Sequence, residues 1–327
     1  MSFATRSAAV SVDLGLDGRT AAHVLRRAVT MTGHFTFVPG KPTEPGWIPF
    51  TALYQPETLT SVIGDAGAMT GDANRTVTAS LLASAVSALV ASPLTAALLM
   101  ERRAVRLEPE HLWLHPAAGG FDAFATDQIH MAVLPDDPLV FLAEQPRTDQ
   151  IPDDPAAVGQ VLADRAMVSH TPPTTPPCEQ AVVARSEIVP DLDALRRWLI
   201  DGYIALLEPF LEQVRVQSRR GRRALWADAG DRLATYLLLT GRLLGDPAAG
   251  RAEADALLAA APPPLGHRVA WIEFEHQGQP VTWKRRSVCC LAYQAPRWQG
   301  QYCSTCPMLP LEETIRRTCD WFDTQPD

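Results

Sequence analysis

Hydrophobic and polar residues recur with two different periods along this chain, and the changes of period mark its elements. The uncharged run 76–100, closed by Glu101-Arg102-Arg103, sets Leu82, Val86, Leu89 and Val90 on one helical face, the spacing of a helix that turns a stripe into a core. Its length would also cross a bilayer. Its many Ala, Ser and Thr residues and Pro93 favour a buried core helix, so no integral membrane span is expected. Apolar residues recur at three and four over 191–217, 222–244 and 249–261, with Gly or Pro punctuating the ends, and predict a layer of helices. Short strands are expected at 34–38, 112–114 and 129–133. From His267 the period falls to two: Val269, Trp271, Glu273 and Glu275 alternate with other residues, Gln277-Gly278-Gln279-Pro280 turns the chain, and 281–285 returns. That pattern predicts an antiparallel hairpin. Helical spacing resumes over 309–322.

These elements add up to an α+β fold, an antiparallel sheet fed by segments near 34, 112, 130, 267 and 281 and covered by helices from 80–100 and 191–261. The segment 151–178, with Pro152, Pro155, Pro172, Pro173, Pro176 and Pro177, is too rich in proline for either element and reads as a linker. It divides the chain into an N-terminal α+β region, 1–150, suited to substrate binding, and a C-terminal region, 179–327, of helices and hairpin. No internal repeat is evident.

Length and composition bound the function next. The 327 residues, 46% of them hydrophobic, supply a substantial core. A net charge of −8 argues against a general nucleic-acid binder, which needs a basic surface to displace counterions. The opening MSFATRSAAVSVDLG lacks the basic, apolar and small-residue order of a secretion signal. A cytoplasmic setting is therefore expected, where thiols stay reduced, with a peripheral place at the inner face of the membrane left open. Gly64-Asp65-Ala66-Gly67 lacks the strand, turn and helix of a nucleotide fingerprint.

Four of the six cysteines change the picture. Cys289 and Cys290 are adjacent, twelve residues follow, and Cys303-Ser304-Thr305-Cys306 closes the set. Four thiolates at short range select zinc or iron–sulfur centres over hard cations. In Cys-x-x-Cys both sulfurs can face one metal, and Ser304 and Thr305 are small enough for that turn. Neighbouring residues in a strand point to opposite faces, so Cys289 and Cys290 share a site only if the backbone twists or the site is wider than one ion. Two irons supply that width. Structural zinc usually pairs cysteines two to four residues apart, which an adjacent pair fits poorly, and a zinc-stabilised interaction domain stands as the alternative.

The run Arg285-Arg286-Ser287-Val288-Cys289-Cys290-Leu291-Ala292-Tyr293, followed by Tyr302-Cys303-Ser304-Thr305-Cys306-Pro307-Met308-Leu309, resembles the C-terminal signature of the FhuF-type ferric-siderophore reductases. The segment from Ser218 to Asp228, SRRGRRALWAD, is similar to a basic stretch before a helix in that family, and 80–114 looks like its apolar helix and following strand. The resemblance implies a [2Fe–2S] cluster in a C-terminal loop on Cys289, Cys290, Cys303 and Cys306. It implies one-electron reduction of Fe(III) to Fe(II) in a ferric siderophore, of the hydroxamate type, with no acid–base machinery. The interval between the two cysteine pairs is longer here than in the family, which leaves the loop's contact with substrate open. Without a nucleotide site, electrons would come from a protein such as a ferredoxin or a flavoprotein reductase. An iron–sulfur electron carrier serving another oxidoreductase is a further reading.

Several side chains stand near this constellation in sequence. Arg285 and Arg286 precede it, where positive charge would favour the reduced state and draw anionic partners; the plain alternative is a solvated strand end. Arg215, Arg219, Arg220, Arg222 and Arg223 form a basic patch in an acidic chain, fit to dock an electron donor or the substrate, or simply a solvated helix boundary. Trp298, Tyr293 and Tyr302 flank the cysteines, as shields of the cluster, as contacts to the siderophore, with Trp298 a candidate for substrate or donor contact, or as packing. Cys319 and Cys178 read as ordinary thiols, and His111, His115, His130 and His170 show no metal-ligand spacing.

Overall fold

The computed structural model of the chain describes residues 18–71, 74–117, 120–140, 182–266 and 268–324. The proline-rich 151–178, with His170 and Cys178, as well as His267 and the first seventeen residues, lie outside the described residues.

The fold is a mixed α+β arrangement built around one helix. In chain order the elements are α1 (Gly18–Thr32), β1 (Thr36–Pro39), β2 (Ile48–Pro49), α2 (Pro56–Met69), α3 (Arg75–Glu101), β3 (Ala104–Arg106), β4 (Leu112–Ala117), β5 (Gly120–Thr126), β6 (Gln128–Val133) and β7 (Val183–Ile188). Then follow α4 (Leu192–Ser218), α5 (Arg222–Leu243), α6 (Pro247–Ala260), β8 (Ala270–His276), β9 (Gln279–Arg285) and α7 (Leu311–Asp323). The uncharged run is α3. It starts where Asn74 Oδ1 accepts the Val77 N–H at 3.1 Å, and ends at Arg102 in the left-handed region, φ 52°. Its stripe residues Leu82, Val86, Leu89 and Val90 are buried as their spacing predicts, but so are Ser80, Ser84, Ser87 and Thr95 on the other faces. The helix is wrapped by α1, α4 and α5, which explains its length of uncharged sequence without a bilayer. Hydroxyls pay their desolvation locally: Thr95 donates to the Ala91 carbonyl at 2.8 Å and Ser92 to Thr32 Oγ1 at 2.8 Å.

The single antiparallel sheet expected from the sequence is replaced by three separate sheets, ordered β1-β5-β4-β2, β3-β6-β7 and β8-β9. Two of their pairings are parallel, β1 with β5 and β6 with β7. A parallel pair needs a long crossover between its strands, and here α2 and α3 intervene between β1 and β5. The partner strands β5 and β7 do not stand out in the sequence, so the crossovers could not be drawn from it. The hairpin is as predicted, tightened to a two-residue turn: Gln277 and Gly278 both take positive φ, 51° and 74°, the backbone that matches strand twist. α5 and α6 meet closely, since a Cβ on Gly250 would lie 2.4 Å from the Leu237 carbonyl oxygen.

Candidate metal centre

β9 delivers the chain to the first cysteine pair. Cys289 and Cys290 fall beyond its last residue, so strand alternation does not separate them. Leu291 is left-handed, φ 66°, and its N–H points back to Cys289 Sγ at 3.4 Å. Two short 3-10 turns, Ala292–Gln294 and Pro296–Trp298, then Gln299 and Gly300 with positive φ, fill the twelve-residue interval. Its internal bonds, such as Ala295 N–H to the Ala292 carbonyl at 2.9 Å and Gln301 N–H to the Trp298 carbonyl at 2.7 Å, make it a folded loop. The second pair sits in a tight turn in which the Cys306 N–H donates to the Cys303 carbonyl at 3.0 Å.

The four thiols meet two by two. Cys306 Sγ lies 3.8 Å from Cys289 Sγ, and the Cys303 thiol donates to Cys290. Cys290 and Cys306 are buried, Cys289 and Cys303 partly so. The bond from Cys303, together with the Arg286 charge and the Ala292 N–H, outweighs burial and lowers Cys290 to about 5. Cys303 moves the other way, because it is the proton donor in that bond and is itself buried. Burial, only partly offset by the Leu291 N–H, also raises Cys289. Among the described residues no group of three or more His, Cys, Asp or Glu side chains is arranged to hold a metal ion.

Charged side chains anchor this loop to the body. Arg286 is not a solvated strand end: its guanidinium is buried, bonds Asp228, and its N–H donates from the backbone to the Thr305 carbonyl at 2.9 Å. Burial opposes the Arg286 charge, but Asp228 and the neighbouring Cys290 and Cys303 win and raise its pKa. Arg285 donates to the carbonyls of Pro307, at 2.8 Å, and Leu309. Arg220, in the middle of the basic patch, donates to the Cys289 carbonyl. Thus the structure brings Arg220, Arg285 and Arg286 to the cysteines. Arg219 and Arg223 remain exposed, and Arg222 pairs with Glu208 at 2.7 Å. Trp298 is 39% exposed, while Tyr293 and Tyr302 pack on each other with ring centroids 4.7 Å apart. Cys319 lies on α7, outside the interacting thiols. His111 and His115 bond Asp127 and Asp122 at 2.7 and 2.9 Å, and His130 sits 3.4 Å from Glu108.

Three residues of this arrangement escaped the sequence reading: Asp228, Asp231 and Lys284. Asp231 Oδ2 accepts both the Ser287 N–H, at 2.7 Å, and its hydroxyl, at 2.9 Å, while Lys284 Nζ lies 3.0 Å from Asp231 Oδ1. A signal existed. Asp228 and Asp231 are three apart on α5, among Leu225, Trp226, Ala229 and Leu233, and acids on an apolar face demand cationic partners. No protein-family model matches the chain, and no curated protein matches it.

Proposed function

We propose that this chain is a ferric-siderophore reductase carrying a [2Fe–2S] centre on Cys289, Cys290, Cys303 and Cys306 in its C-terminal loop. The observation that carries the reading is the meeting of the thiols in pairs. A tetrahedral metal with sulfur ligands at about 2.3 Å separates two of them by about 3.8 Å, the spacing of Cys289 and Cys306. Cys290 with Cys303 forms the second pair, so each of two irons would draw one cysteine from either side of the loop. One zinc ion would need all four sulfurs at that spacing around a single point. The resemblance to the FhuF-type reductases rests on the same residues.

When bound, such a centre supplies one electron, which takes Fe(III) in an oxygen-ligand chelate to the more weakly held Fe(II). The chain's own contribution is to keep Cys290 ready as a thiolate, through Cys303, Arg286 and the Ala292 N–H. Arg286, fixed by Asp228, sets positive charge beside Cys290 and Cys303, which favours added negative charge there. The electron donor is a separate protein, a ferredoxin or flavoprotein reductase, and the setting is cytoplasmic.

Anaerobically purified protein should be red-brown, contain two irons and two sulfides per chain, and bleach with dithionite. The Cys303→Ser variant should lose the visible bands. With a ferric chelate and a ferrous trap, the reduced protein should deliver iron to the trap. Colourless protein holding only zinc after anaerobic reconstitution would overturn the reading, and a reducible centre that never yields Fe(II) would leave an electron carrier.

A further inference from the structure

A groove beside the cysteine loop has no part in the reading so far. Its volume is about 730 Å³, and Arg222, Arg223, Pro264, Gly266, Arg268 and Ser287 line it. Three arginines line it, and none of its lining residues among the described residues is acidic, in a chain whose net charge is −8. Arg222 is shared with Glu208. Arg223 and Arg268 are exposed and carry no ion-pair partner among the described residues. The adjoining groove, about 770 Å³, mixes both signs: Glu208 and Glu212 line it with Arg215, Arg219, Arg220 and Arg222, and pair with Arg222 and Arg215. Of the two grooves, the one beside Ser287 is thus the one whose described lining holds no acid to compete with an anionic ligand.

This groove also adjoins the thiols. Ser287 precedes Cys289 by two residues, so their Cα atoms are within about 7 Å. Its N–H and hydroxyl are both held by Asp231, which fixes this wall. The volume falls within the ~300–1,000 Å³ of small-molecule sites, and a concave groove of that size suits a chelate better than a protein surface. Guanidinium forks match carboxylates two bonds at a time.

We propose that this groove binds the ferric chelate, and that the chelate it takes is anionic, bearing carboxylates that Arg223 and Arg268 hold. The inference rests on the reductase reading. It departs from the hydroxamate implied by the resemblance, since a neutral tris-hydroxamate complex presents no charge to these arginines.

Gallium(III) copies the shape of iron(III) complexes without accepting an electron, so binding can be read apart from reduction. Isothermal titration of the full chain compares gallium citrate with a neutral gallium tris-hydroxamate, in native protein and in Arg223→Ala, Arg223→Lys and Arg268→Ala. Gallium citrate should bind at least tenfold more tightly than the neutral complex. Each alanine change should weaken it by about tenfold or more, Arg223→Lys should weaken it less, and the visible spectrum should stay unchanged. Equal binding of the two complexes, or alanine variants that hold gallium citrate as tightly as native protein, overturns the proposal. So do variants that only slow reduction of the centre by its donor protein, which would make the groove a protein dock. If the chain takes up no iron–sulfur centre yet binds gallium citrate through Arg223, the groove stands and the reductase reading falls.

Discussion

Asp231→Asn keeps the shape of a buried side chain and removes its charge. In the native chain Lys284 Nζ lies 3.0 Å from Asp231 Oδ1, and the two side chains are only 5% and 2% exposed. Burial outweighs the pull of Asp231 and brings the Lys284 ammonium from 10.5 down to about 8. Without the carboxylate it falls further. At pH 7 the lysine can then release its proton, so losing its partner costs no more than one pKa unit, about 1.4 kcal/mol. Ser287 loses a charged acceptor for its N–H and hydroxyl and keeps a neutral one, a further loss of about 1–2 kcal/mol. The total expected at pH 7 is about 2–3 kcal/mol.

Alkali separates the two parts. Burial holds the folded pKa of Lys284 below its unfolded value, so between about pH 8 and pH 10.5 the unfolded chain binds the extra proton. Native stability therefore gains from this group as pH rises through that window. In Asp231→Asn the same gain begins below pH 8. The gap between the two proteins should shrink by about 1.4 kcal/mol from pH 7 to pH 9, leaving the Ser287 part. Urea unfolding followed by far-ultraviolet circular dichroism, at both pH values and under argon, measures it. A gap that stays constant or widens at pH 9 refutes Lys284 as the charged partner of Asp231.

Arg286→Met should destabilise the fold by about 3 kcal/mol, because buried Asp228 is left with only Arg232, 4.0 Å away; if the protein holds its centre, potentiometric titration should give a lower reduction potential than native, with Arg286→Lys between them. Arg220→Ala removes the tie to the Cys289 carbonyl and should cost about 1–3 kcal/mol, read as faster bleaching of the visible bands by an iron chelator. Gly250→Ala places a methyl 2.4 Å from the Leu237 carbonyl oxygen and should cost about 1–3 kcal/mol by forcing α5 and α6 apart, measured as a lowered Tm.

What the sequence disclosed and what it hid follow from where the information lies. Periodicity marks α3, α4, α5, α6, the β8–β9 hairpin and α7 because each presents a long face of one period. β3 has three residues and β2 two, too short for any period to register. α2 carries Gly64 and Gly67, which dilute a helical pattern, and β5 reads Gly-Phe-Asp-Ala-Phe-Ala-Thr, mostly small residues. Pairing partners and parallel crossovers are long-range facts with no local mark. At the candidate centre the four cysteines announce themselves by type and spacing, and so do Arg285 and Arg286. Their partners are marked only as two acids on an apolar face of α5: which cations meet Asp228 and Asp231 is fixed once β9 is laid across them.

The charges around the loop explain why so many cations are needed to hold it. Arg286 is tied to Asp228 and Lys284 to Asp231, so these pairs fasten the loop to the body, while Arg286 still acts on Cys290 and Cys303. Arg220 and Arg285 differ, because their acceptors are neutral carbonyls, of Cys289 at one cysteine pair and of Pro307 and Leu309 just after the other. Their positive charge is left over at the two ends of the thiol set. Four thiolates bring more negative charge than a sulfide-bridged ferric pair cancels, and accepting an electron adds to it. A partly buried centre of that charge would be stabilised by uncompensated cations beside it. Arg220 and Arg285 are placed to provide them, which ties the basic patch after α4 to the proposed electron chemistry through charge as well as shape.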